Sequence, residues 1–306
     1  MKSLKNTLLA TVAAAAMGLG MPGIAQANTF ASAILLINNF KLLHAATGIP
    51  FAPGDFSTLR GTNDAHATAE RNGIPSSAFD SIDILLPPPS LLHQCVGTCQ
   101  PKLNNDFTKF LVPPAVSFGY ADQDLDGTSL SALGATARTR ADASTTSSPT
   151  QASGNSDVGT STTFAFSVLA PDAMRVSFTA IPYLQAFVSP GSQPNTNANA
   201  RLSWHINIRD LTTDSELMSE SPDELNQARS RTDGAPGTST YDPLPLVPFS
   251  FTTNALLAVG HMYQLTVEHN TLANVLQDER LPEPGTLAAL AAGLLSMSLI
   301  SRRRKL

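Results

Sequence analysis

Asp122-Gln123-Asp124-Leu125-Asp126-Gly127 is the stretch whose residue types and spacing best suit chemistry. Oxygen ligands fall at positions 1, 3 and 5 and glycine at 6, as at the start of a calcium loop. Three carboxylates this close repel one another unless a cation or solvent screens them. The pattern then departs from that loop. Position 12 is Leu133 rather than a bidentate glutamate, and no clear helices flank the segment. Asp122, Asp124 and Asp126 therefore read either as calcium ligands of another geometry, completed by a remote group, or as a solvated acidic turn.

The other reactive side chains are sparse. Cys95 and Cys99 enclose Val96-Gly97-Thr98. A redox pair has two residues between its cysteines, and zinc needs two further ligands, of which only His93 is near. In an oxidising compartment the spacing predicts a small-loop disulfide, with free thiols as the alternative. The histidines are His44, His66, His93, His205, His261 and His269. No two have the i, i+4 spacing of a helical zinc site, and they read as structural or surface groups. There is no Gly-x-Ser-x-Gly elbow for a hydrolytic serine. The chain reads as a non-enzyme. Trp204, the single tryptophan, shares strand parity with Leu202, Ile206 and Ile208, which points it into a core. Tyr120, Tyr183, Tyr241 and Tyr263 are the remaining candidates for stacking on a sugar. Aromatic residues are 6 % of the chain, so a broad stacking platform is not indicated.

Strands are the elements that must carry these groups. Leu202, Trp204, Ile206 and Ile208 alternate with polar residues. So do Met174, Val176, Phe178 and Ala180; Phe164, Phe166 and Val168; and Tyr263, Leu265 and Val267. Residues 30–46 read as a buried strand bent at Asn38-Asn39, with an amphipathic helix as the rival. Ala65, Ala67, Ala69 and Ala135, Ala137, Ala141, Ala143 mark strands with a thin inner face, against which something bulky can pack. Residues 144–163 are Ser, Thr, Gly, Asn and Asp with almost nothing apolar, and read as a loop or flexible linker. A short helix is expected near Pro222–Ala228. Alternation without a βαβ pattern predicts a mainly β body, an antiparallel, jelly-roll-like β-sandwich.

Both ends carry addresses. In residues 1–27, Lys2 and Lys5 precede an alanine-rich apolar stretch, and Ala25-Gln26-Ala27 gives a small-x-small cleavage pattern before Asn28, as in a secretory signal peptide. Residues 281–306 contain Pro282-Glu283-Pro284, an uncharged apolar run from Gly285 to Ile300, and Arg302-Arg303-Arg304-Lys305. The run is just short of a comfortable membrane span, and flanking arginines can snorkel. It is expected to form a transmembrane helix with the basic stop on the cytoplasmic side. The whole chain has 19 basic and 24 acidic residues. Setting aside Lys2, Lys5, Glu283 and the four basic residues at 302–305 leaves the body, 28–280, with 13 basic and 23 acidic residues, a net charge of −10. That balance argues against nucleic acid and anionic membrane surfaces as partners.

The tail resembles the PEP-CTERM sorting signal: Pro-Glu-Pro, apolar helix and basic cluster, in that order. The resemblance implies export through the inner membrane, transient anchoring there, and processing by a membrane exosortase in a Gram-negative bacterium that makes an extracellular polysaccharide. The body, through Trp204-His205-Ile206 and Tyr263-Gln264-Leu265-Thr266, resembles a group of exosortase-dependent surface proteins with an all-β exported domain. No catalytic residues are implied. The expected function is a structural or adhesive protein of the cell surface or matrix. The alternatives are a carbohydrate-binding module for matrix polysaccharide and, less well supported, a secreted hydrolase.

Overall fold

Alternating apolar residues do form strands throughout the body. A computed structural model describes residues 28–89, 91–99, 104–146, 156–243 and 246–277. Fourteen strands follow in chain order: β1 (Thr29–His44), β2 (Phe56–Arg71), β3 (Ile74–Asp83), β4 (Leu92–Gly97), β5 (Phe118–Gly127), β6 (Ala135–Thr145), β7 (Ser156–Val168), β8 (Met174–Val188), β9 (Asn197–Asp210), β10 (Ser215–Glu220), β11 (Ala228–Thr232), β12 (Gly237–Tyr241), β13 (Val247–Thr252) and β14 (Tyr263–Leu276). They make two antiparallel sheets. The first runs β12-β8-β1-β6-β5-β4, with β13 also on β8; the second runs β10-β9-β14-β7-β2-β3, with β11 also on β9. The apolar faces of the two sheets meet in one core, so the body is a β-sandwich.

The core is graded. At one end Phe40, Phe51, Phe56, Phe164, Phe166, Phe178 and Trp204 fill the space between the sheets. At the other, Ala31, Ala33, Ala67, Ala69, Ala141, Ala143, Ala198 and Ala200 are buried. The thin faces of β2 and β6 were expected to meet bulky partners. Ala135 and Ala137 of β6 do face a space lined by Phe164 and Trp204, whereas toward the other end the sheets close up. A Cβ placed on Gly119 of β5 would lie 2.4 Å from the Glu70 carbonyl oxygen of β2, in the opposite sheet.

Residues 30–46 are the expected strand. The bend is a register shift between Ile37 and Phe40, where Asn39 adopts φ 56°. The expected linker 144–163 requires correction at both ends. Ser144 and Thr145 close β6, and residues 156–163 belong to β7, paired with β14 and β2. Threonine is a good strand former when neighbours supply the hydrogen bonds, even without apolar alternation. The expected helix near Pro222 is a single 3-10 turn, Asp223–Leu225. Asn226 after it serves a different purpose. Its Oδ1 accepts from the Trp204 N–H (3.1 Å) and its Nδ2 donates to the Trp204 carbonyl (2.8 Å). Those bonds satisfy the edge of β9 between the stretches covered by β10 and β11.

The signal-like residues 1–27 and the sorting tail 281–306 lie outside the described residues. Among the described residues no helix is long and apolar enough to cross a membrane.

Candidate functional site

Asp122, Asp124 and Asp126 lie on a strand, not in a loop. Ala121 and Leu125 on β5 point into the core, so the three aspartates share the outer face. On that face Asp122 stands opposite Arg140, Asp124 opposite Arg138 and Asp126 opposite Thr136. The carboxylates therefore run in a line, roughly 7 Å from one to the next, instead of converging on a point. Asp124 pairs with Arg138 at 2.7 Å, and burial lifts its carboxyl while Arg138 pulls it back. Asp126 is exposed. Gly127, the position-6 glycine of the calcium-loop reading, does turn the chain, at φ 75°, but the aspartates before it lie on a strand rather than in a loop. Among the described residues no three His, Cys, Asp or Glu side chains are grouped to hold a metal ion.

What the outer face of the first sheet does contain is a covered polar cluster centred on Arg140. Residues 104–117 cross over this face. Phe110 packs edge-on against Phe30, with ring centroids 5.3 Å apart, and joins Phe118 and Tyr120 in a second apolar cluster. Arg140 is fully buried. Its Nε donates to Asp142, two residues along the same strand. Its Nη1 donates to the carbonyls of Asp106 and Thr108, both at 2.6 Å. Its guanidinium lies 4.9 Å from the Phe110 ring centre and 5.5 Å from that of Tyr120. Asp122 completes the set, accepting from the Tyr120 hydroxyl (2.9 Å) and from the Asn105 N–H (2.5 Å).

Burial raises the Asp122 carboxyl to about 6, against the pull of those two hydrogen bonds and of Arg140. Burial, reinforced by Asp122, pushes the Tyr120 phenol well above its ordinary range. At the margin of the cluster Lys109 pairs with Asp242 (2.5 Å) and lies over the Tyr183 ring. These bonds fasten residues 104–110 to the sheet. Arg140 Nε and Nη1 and one Asp122 oxygen are spent on these neighbours, and the chemistry of the arrangement is that of a clamp.

Cys95 of β4 is joined to Cys99, with Cα atoms 6.0 Å apart, and both pack against the same cluster. Gly97, at φ 103°, makes the reversal, and a Cβ there would meet the Ser117 carbonyl oxygen at 2.5 Å.

Most histidines have structural partners. His44 sits between Asp172 (2.5 Å from Nδ1) and Asp55 (3.3 Å from Nε2) and stacks on Phe51. His261 contacts Asp210 at 2.7 Å. Burial alone would raise Asp210, but the His261 bond and the N–H groups of Thr212 and Thr213 outweigh it and hold the carboxyl low. His205 bonds to the Ser221 hydroxyl at 2.8 Å on the outer face of the second sheet. His269 lies in the core, its Nε2 2.8 Å from the Thr139 hydroxyl, and burial lowers its pKa to about 3. The aspartate partners of His44 and His261 were invisible to spacing, since 128 and 51 residues separate them.

Trp204 is buried in the core. Of the tyrosines proposed for stacking, Tyr120, Tyr183 and Tyr263 are buried as well. Tyr241 is half-buried beneath Arg229. The exposed aromatic that sequence reasoning passed over is Phe79 on β3, 68 % accessible and opposite His66.

Ala25 and Ala27 of the cleavage pattern, Pro282, Glu283 and Pro284 of the sorting motif, and Arg302, Arg303, Arg304 and Lys305 of the basic stop lie outside the described residues. The chain matches no family model, no curated protein and no solved structure.

Proposed function

We propose that this chain is an exported, exosortase-processed protein of the cell surface or extracellular matrix, with a structural or adhesive role. The observation that carries the reading is the pair of addresses around an acidic body: a signal-like leader at 1–27, and Pro282-Glu283-Pro284 ahead of an apolar run and a basic stop. The body supports it, because its buried charges and most of its histidines are committed to internal partners. The repeated passage of the chain between sheets, from β1 to β2 and from β6 through β7 and β8 to β9, fits a jelly-roll-like winding. Replacing Pro282, Glu283 and Pro284 together by alanine tests the reading in cells. The expected result is retention in the inner membrane and loss from the surface fraction. An unchanged surface yield would sink it.

The second reading, a carbohydrate-binding module, is favoured by the outer face of the second sheet. There Thr62, Thr163, Thr266 and Asn207 stand side by side across four strands, with the exposed Phe79 on the neighbouring edge strand. Hydroxyl and amide rows with one accessible aromatic suit an uncharged glycan. A glycan array probed with the wild-type body and with Phe79→Ala tests it. Binding that the variant loses supports this reading, and a blank array removes it.

A further inference from the structure

At the aromatic end of the sandwich a cavity of about 50 Å³ lies between the sheets. Ile37, Phe164, Trp204 and Leu265 supply apolar walls, and Asn63, Thr162 and His269 supply polar groups. Among the described residues, no acidic residue, lysine or arginine lines it. His269 is kept neutral by burial, and its Nε2 is occupied by Thr139.

One largely buried primary amide on the cavity wall, Asn63, has unused hydrogen-bonding capacity. Asn63 is 8 % exposed; its Oδ1 accepts from the Thr162 hydroxyl at 2.8 Å, and its Nδ2 makes no hydrogen bond among the described contacts. Gln123, two residues from the cavity-lining Leu125 on β5, is fully buried with neither amide atom hydrogen-bonded among the described residues, but it does not line the cavity. A donor left unpaired on a cavity wall is costly, so the Asn63 amide calls for an acceptor in the cavity.

We propose that this cavity binds a small uncharged molecule, apolar over most of its surface and bearing one acceptor oxygen received by the Asn63 amide. The class is that of short-chain alcohols and ketones. The volume suits about three to five non-hydrogen atoms, at roughly 10–15 Å³ of such space for each water-sized probe. A charged molecule would be excluded, because nothing in the lining offsets its desolvation. The inference is independent of export and sorting.

Trp204, the single tryptophan, lines the cavity and reports on its contents. The experiment titrates the mature chain with butan-1-ol and butanone, and with butyrate and butylammonium as charged counterparts, while following Trp204 fluorescence and heat. The neutral probes are expected to bind saturably, one per chain, with a dissociation constant on the order of millimolar for molecules of this size. The charged probes are expected to give no saturable signal. Asn63→Leu should weaken butanone binding about tenfold, the worth of roughly one hydrogen bond to a buried group. Ala137→Leu, on the partly buried wall, should abolish binding by filling the space; its melting temperature verifies that it folds. A flat titration with both neutral probes, which leaves only water in the cavity, overturns the proposal. So does equal binding of the charged pair, or undiminished binding to folded Ala137→Leu.

Discussion

Arg140 and Asp142 stand two residues apart on the same face of β6 and form an ion pair in which both side chains are fully shielded from solvent. Nothing in Thr139-Arg140-Ala141-Asp142 announces this. The pair is buried because residues 104–117 lie over it, and those residues stay there because Arg140 holds two of their carbonyls. Covering and clamp depend on each other.

Arg140→Met is accordingly expected to cost about 3–5 kcal/mol, since it leaves Asp142 and Asp122 buried without their cation. Denaturant titration measures it. The double variant Arg140→Met, Asp142→Leu should recover much of the loss, because removing both charges removes the desolvation penalty as well. Limited proteolysis should show new cleavage within 104–117 in the single variant. A loss under about 0.5 kcal/mol, the level of an ordinary surface substitution, would contradict the clamp.

The dependence of stability on pH should carry two opposing contributions. Asp122 has a raised folded pKa, about 6 against 3.8. Its contribution is fully present below about 3.8 and is lost as pH rises through 6, with a ceiling of about 3 kcal/mol. His269 has a depressed folded pKa, about 3 against 6.5. Its contribution is present above 6.5 and is lost as pH falls toward 3, with a ceiling of about 5 kcal/mol. Between pH 4 and 6 the two nearly offset. Asp122→Asn, whose amide oxygen can still accept from Tyr120 and Asn105, should steepen the acid-side loss. His269→Gln should flatten or invert it. Urea titrations across pH 3.5–7 on the three proteins check the signs; parallel curves would refute them.

Gly119→Ala tests the close approach of the sheets. The new methyl group would meet the Glu70 backbone at 2.4 Å, and backbone cannot swing aside. A loss of about 1–3 kcal/mol or more is expected. Gly54→Ala is the control, because among the described residues no atom lies within 4 Å of its Cβ position and its φ is ordinary. Equal effects at both positions would mean that the alanine ends of the sheets do not touch as described.

The strands that were plain in the sequence are those whose outer face meets water. Leu202, Trp204, Ile206 and Ile208 alternate cleanly, because Ser203, His205 and Asn207 are left at least partly accessible. Where a second layer covers the outer face the signal fails. β5 reads Phe118-Gly119-Tyr120-Ala121-Asp122-Gln123-Asp124-Leu125, with polar and apolar residues on both faces, since residues 104–117 make its outer face a second interior. Its aspartates then resemble a loop of ligands. The clamp was unreadable for the same reason: its carbonyl partners come from an irregular segment whose path only the folded chain fixes. β7 was hidden differently. Residues 156–163 lack apolar alternation and are held as a strand by β14 and β2 on either side.

The two addresses flanking the body carry the sorting reading, and intact-mass spectrometry of the protein isolated from the surface of its own cells tests them most directly. The mature species is predicted to begin at or near Asn28 and to lack residues 286–306. A surface species whose mass still includes 286–306 would contradict the sorting reading, and one that retains residues 1–27 would contradict export by a cleaved leader.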